Sequence, residues 1–175
     1  TTVSIVDKTT VAISTPDDPA GVAAGAARTL VLPLTLVYFD DGAWPLENLL
    51  DAARRAARLI AQCGVRIQQA EVVRITAPPR YRDFSTPVSR ELARRLKLAR
   101  PTVYFVTDTR QQPAFDAEAI GRGNSSTRPE LADSVWITRA ARDPEVVLAH
   151  ELVHVLADSG AHTTERDNLM REDTS

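Results

Sequence analysis

Apolar and polar positions repeat along this chain with two different periods, and the switches between them mark its elements. The densest apolar run, TLVLPLTLVYF from Thr29 to Phe39, predicts a core strand over Leu30 to Phe39. Pro45 then opens a helix in which Leu46, Leu49, Leu50, Ala53, Ala57 and Ile60 fall on one side, with a stop near Gly64. VRIQQAEVVRI, Val65 to Ile75, predicts a second strand, and Ser85-Thr86-Pro87 caps a helix reaching about Leu98. TVYFVTD, Thr102 to Asp108, and DSVWIT, Asp133 to Thr138, predict two more strands. Between them the polar stretch Arg110 to Arg128, with Gly121, Gly123 and Asn124, predicts a long loop holding a short strand around Ala119 to Asn124. Asp143-Pro144-Glu145 starts a last helix, about 144–159.

The ends of the chain read differently. TTVSIVDKTTVAIST alternates around Asp7-Lys8 and predicts a short hairpin or a loose arm, and Pro16 to Ala26 reads as a loop or linker. Strands alternating with helices predict an α/β (α+β) fold, a twisted mixed sheet carrying long helices. The expected organisation is an arm or linker over 1–28 and a single domain over 29–175.

Composition narrows the function classes. The apolar fraction of 43% and charged fraction of 25% are those of a globular domain. A net charge of −2 lacks the basic excess of a nucleic-acid binder. No apolar run is long enough to span a bilayer. Cys63 is the lone cysteine, so no internal disulfide forms; this fits a reducing compartment and equally an exported protein. An extracytoplasmic or secreted location is the expectation, with cytoplasmic as the alternative. The chain opens on Thr1, and the expectation is that an earlier beginning has been removed.

The chemistry is concentrated near the end, in HELVHVLADSGAHTTERDNLM, which runs from His150 to Met170 and holds all three histidines. His150 and His154 lie four apart on the predicted helix, one turn apart on one face. Two imidazoles so placed can bind one Zn²⁺, while Glu151 beside the first reaches a metal-bound water without being a ligand, the HExxH arrangement. Val146, Val147, Leu148, Val153, Val155 and Leu156 make this a mostly buried helix, where two histidines and a glutamate are costly unless they have a task. A catalytic zinc takes three protein ligands and keeps one open position. Ser159-Gly160 ends the helix, with Gly160 suited to a left-handed cap, and the chain then presents His162 as the third ligand. Asp158, one turn further along the same face, is the alternative ligand, or a partner that holds an imidazole tautomer.

HELVH followed by His162 and DNLM resembles the metzincin clan of zinc endopeptidases, most of all its matrixin-type members, whose pattern is HExxHxxGxxH followed by a methionine turn. The resemblance implies one zinc per chain on His150, His154 and His162, Glu151 as general base, Met170 beneath the metal, and hydrolysis of peptide or protein substrates. Two departures stand out. The family's glycine falls at Ala157 and its third histidine at Gly160, so the active-site helix is expected to be about one turn longer. Only REDTS follows Met170, where matrixins carry a further helix. The substrate is expected to lie extended along an edge strand. Two other readings stay open: a zinc hydrolase of another HExxH clan with Glu165, Glu172 or Asp158 as acidic third ligand, and an inactive zinc-holding binding domain.

Other residues carry blander expectations. Cys63 reads as a buried small apolar residue, Trp44 and Trp136 as core or rim aromatics, and Arg90 to Arg100 as a solvated helix face. Asp7, Asp17 and Asp18 match no latency motif closely.

Overall fold

The computed structural model describes residues 2–15 and 30–171, and in chain order its elements begin with β1 (Ser4–Ala12), β2 (Leu30–Val31), β3 (Leu34–Phe39) and α1 (Leu46–Ala61). They continue through β4 (Val65–Arg66), β5 (Gln69–Thr76), β6 (Asp83–Phe84), α2 (Thr86–Leu96), β7 (Thr102–Phe105) and β8 (Asp108–Thr109). β9 (Ala117–Ile120), β10 (Ser134–Ile137) and α3 (Pro144–Ala157) complete the fold. Six strands form a mixed sheet in the order β1-β5-β3-β7-β10-β9. The four inner strands are parallel, and the two edges, β1 and β9, run antiparallel to their neighbours.

Strand alternation divides the inward residues between two cores. Leu36, Val103, Phe105, Val135 and Ile137 face one side with α1 and α3; Val37, Tyr104, Val106 and Trp136 face the other with α2. Strands covered on both faces must be apolar throughout, which is why Leu34–Phe39 reads as a continuous run. The steps from β3 to β5 and from β5 to β7 run in opposite directions along the sheet, so one handedness of crossover puts α1 and α2 on opposite faces. α1 buries Leu49, Ala52, Ala53, Ala56, Ala57 and Ile60, a stripe of small residues that lets α3 pack close beside it. Among the described residues no helix is long and apolar enough to cross a membrane.

The fold departs from the sequence expectations at identifiable points. Residues 4–12 form one edge strand in register with β5, neither hairpin nor loose arm. Its exposure leaves Asp7 and Lys8 in water, and Lys8 pairs with Glu71 across the strands at 3.1 Å. The 16–26 segment lies outside the described residues. The run from Leu30 to Phe39 is split at Leu32-Pro33: β2 pairs with β4, whereas β3 pairs with β5 and β7, and proline has no N–H to carry a ladder across the junction. Val65 to Ile75 is split in the same way. The expected strand within the long loop is β9, a few residues earlier at Ala117–Ile120.

Helix ends differ too. Neither Ser85 nor Asp143 caps its helix with a side-chain hydrogen bond. The last helix stops at Ala157, and the left-handed residue is Asp158 (φ 47°, ψ 44°), so Gly160 does not serve as the cap. Residues 158 and 159, which were expected to lengthen the helix, therefore lie in the connection between it and His162. Cys63 is exposed, since it sits in the turn that closes α1. Trp44 and Trp136 are both buried, and Trp136 stacks on Tyr104 with ring centroids 4.0 Å apart. Two of the three arginines of α2 form ion pairs at the surface, Arg90 with Glu130 and Arg95 with Glu91.

Candidate metal centre

α3 sits against α1, β9 and β10 and is covered nearly all round in its middle, from Val147 to Leu152. His150 is 0% exposed and Glu151 5%, whereas His154 is half-buried. The helix geometry puts His154 one turn above His150. Asp158 then turns the chain back, with Ser159 N–H donating to the His154 carbonyl at 3.2 Å. Ala161 N–H donates to Ser159 Oγ at 3.1 Å, and exposed His162 follows. A second loop closes behind it: Thr163 N–H donates to the Met170 carbonyl at 2.9 Å, and Met170 N–H to Asn168 Oδ1 at 2.9 Å.

These turns bring three Nε2 atoms to one point. His150 and His154 are 2.9 Å apart at Nε2, and each stands 3.2 Å from Nε2 of His162. The outer nitrogens decide what meets there. His150 Nδ1 faces the Leu169 carbonyl at 2.8 Å, and His154 Nδ1 faces the Ser159 carbonyl at 2.6 Å. A carbonyl only accepts, so both Nδ1 atoms carry the proton and both Nε2 atoms present lone pairs. Two lone pairs at 2.9 Å repel unless a cation lies between them. Desolvation lowers the pKa of His150, helped by the neighbouring imidazoles and opposed by the Leu169 carbonyl. Desolvation likewise lowers that of His154. Both shifts favour the neutral imidazole, and the three histidines form a cluster able to hold a metal ion.

Glu151 lies on the adjoining wall. Burial pushes its carboxyl up to about 7; the backbone N–H of Ala119 in β9 opposes this, and the charge of Glu118 adds to it. Glu118 is itself raised by burial, with Arg128 opposing. Glu151 and His154 open onto one small cleft of about 80 Å³, walled by Ala119, Gly121 and Asn124 on one side and Asp158 to Gly160 on the other.

The structure brings His150, His154 and His162 together and places Glu151 beside them. The acidic alternatives fall elsewhere. Asp158 accepts from Gly123 N–H at 2.9 Å and is not among the atoms of the cluster, and neither His150 Nδ1 nor His154 Nδ1 meets its carboxylate directly, since both face main-chain carbonyls. Glu165 accepts from Asn168 within its own loop, and Glu172 lies outside the described residues. Asp7 is on the far edge strand, and Asp17 and Asp18 are outside the described residues. Met170 is half-buried in the turn whose preceding carbonyl, that of Leu169, orients His150. Sequence reasoning missed both orienting carbonyls, because main-chain acceptors leave no trace in residue type. It named Ala119, Gly121 and Gly123 only as strand and loop positions and gave them no part in the site.

Comparison with known proteins found no family model, no curated protein and no solved structure that matches this chain.

Proposed function

We propose that the protein is a zinc-dependent endopeptidase, with one zinc ion on His150, His154 and His162 and Glu151 as the general base. The observation that carries this is the convergence of three Nε2 atoms, two of them with lone pairs fixed by carbonyls at Nδ1, beside a buried carboxyl at a cleft. Nitrogens of a tetrahedral zinc site at about 2.0–2.1 Å stand about 3.3 Å from one another. The separations of 2.9 and 3.2 Å need to open by only a few tenths of an ångström. An all-imidazole donor set with two rings oriented by carbonyls suits zinc, and among the described residues no carboxylate joins the cluster.

Zinc bound there supplies Lewis acidity and lowers the pKa of water towards neutrality. Glu151 accepts the proton of the attacking water as its oxygen bonds to the scissile carbonyl carbon, then returns it to the amine as the C–N bond breaks. A cation nearby draws the Glu151 carboxyl down from its raised value, so it is ionised when needed. β9 pairs only with β10 among the described strands, which leaves its other side, apart from the Ala119 N–H that faces Glu151, free for main-chain hydrogen bonds from an extended peptide. The turn holding Met170 supports the site from behind through the Leu169 carbonyl.

The test is metal content and cleavage on one preparation: zinc per chain after dialysis, and hydrolysis of a quenched-peptide library. One zinc with chelator-sensitive cleavage is expected. Zinc retained without any cleavage leaves a metal-holding binding domain in place of the enzyme, and no zinc retention ends the proposal.

A further inference from the structure

Asp158 occupies a junction that the peptidase reading does not use. Its backbone is left-handed, which turns the chain sharply at the end of α3. The next residue, Ser159, supplies the carbonyl that accepts the His154 Nδ1 proton at 2.6 Å. The Asp158 carboxylate meanwhile reaches across to the segment leaving β9, where Gly123 N–H donates to Oδ1 at 2.9 Å. The fit there is close. A Cβ on Gly121 would stand 2.6 Å from Oδ1, so any side chain there would push the Asp158 carboxylate aside. Arg122, between the two glycines, is tied to buried Asp133 at 2.7 Å, which anchors the same segment to the sheet. Asp158 therefore touches both walls of the cleft that opens onto Glu151 and His154.

We infer that Asp158 is a positioning residue: its carboxylate latches the 121–123 segment to the end of α3 and thereby holds the Ser159 carbonyl that orients His154. This deepens the reading of the three histidines as a metal site and rests on it. The latch works through geometry in two steps. Pinning the side chain at Gly123 holds Asp158 in place, and with it the start of the turn whose next residue, Ser159, presents its carbonyl to Nδ1. Without the pin the turn can still form, held by the Ser159 N–H bond to the His154 carbonyl and the Ala161 N–H bond to Ser159 Oγ, but the carbonyl's direction is held less firmly. His154 then loses its enforced tautomer, and the lone pair no longer points at the metal in every molecule. The same loss loosens the cleft between β9 and α3.

Asp158→Gly separates the latch from the turn, because glycine adopts the left-handed conformation freely and lacks only the carboxylate. Asp158→Asn keeps an acceptor oxygen and a tolerance for that conformation. Gly121→Ala attacks the junction from the other side and leaves Asp158 in place. Zinc affinity by chelator competition, peptide cleavage and melting temperature are measured for all three beside the parent. Loss of an outer partner of a metal-bound histidine typically weakens metal binding or activity about 10- to 100-fold. That range is expected for Asp158→Gly and Gly121→Ala, with Asp158→Asn close to the parent. Asp158→Gly is expected to melt close to the parent. If Asp158→Gly and Gly121→Ala both hold zinc as tightly as the parent, Asp158 is only a turn residue and the inference is overturned. If Asp158→Asn is as weak as Asp158→Gly, the hydrogen bond is not the agent, which also overturns it. A parent that binds no zinc instead removes the underlying metal reading, and the two failures are thus distinct.

Discussion

Glu151→Gln in the metal-free protein tests the electrostatics of the site apart from its chemistry. Burial raises the Glu151 carboxyl from 4.5 to about 7 in the folded chain. The unfolded chain gives up this proton near 4.5, whereas the folded chain keeps it until about 7. The stability associated with the neutral carboxyl is therefore fully present below pH 4.5 and is lost as pH rises to about 7. A shift of about 2.5 units at 1.36 kcal/mol each amounts to about 3 kcal/mol. Glu151 is only 5% exposed, so solvent screening takes little from that figure. Glutamine has the same shape and no charge, so the variant lacks this pH-dependent penalty. His150 and His154, whose own pKa values are lowered, favour the fold at higher pH, but they are common to both proteins and cancel in the comparison. The assay is urea unfolding of chelator-treated parent and variant from pH 4.5 to pH 8. The variant is expected to gain about 3 kcal/mol on the parent across that range, and to lose most of the gain when zinc is restored. Parallel stability curves for the two metal-free proteins would refute the burial argument for Glu151.

With zinc present, Glu151→Gln is expected to keep its metal and its fold while peptide cleavage falls about 10²- to 10⁴-fold, the usual worth of a general base; zinc lost together with activity would make Glu151 a ligand. His162→Ala removes one corner of the Nε2 triangle and is expected to weaken zinc binding strongly in chelator competition, and full retention would break the three-histidine site. Trp136→Ala empties a fully buried position stacked on Tyr104 and removes the indole N–H bonded to Ser134 Oγ at 2.9 Å. It is expected to cost about 3–5 kcal/mol in denaturant unfolding, and a loss under about 1 kcal/mol would mean the two-sided core is less tightly packed than described.

What the sequence by itself determined was the local part. His150 and His154 share a face because any helix puts residues four apart one above the other, so the two-ligand motif was legible before any tertiary contact. The inner strands and the buried side of α1 were legible for the same reason, since an element covered by others must be apolar at the matching period. Tertiary structure decided what depends on residues far apart in the chain. The Leu169 and Ser159 carbonyls select the histidine tautomers, yet they reach the imidazoles only after two turns have closed. Asp158 was a candidate ligand by spacing, and became a contact of Gly123 because its left-handed backbone swung the side chain off the helix face. Residues 4–12 carried a polar pair that looked like a turn, and only the vacant edge of β5 made them a strand. Cys63 looked buried by residue type and lies exposed because the turn ending α1 faces solvent. In each case the side chain's own preference was weak, and the position of a distant backbone settled the outcome.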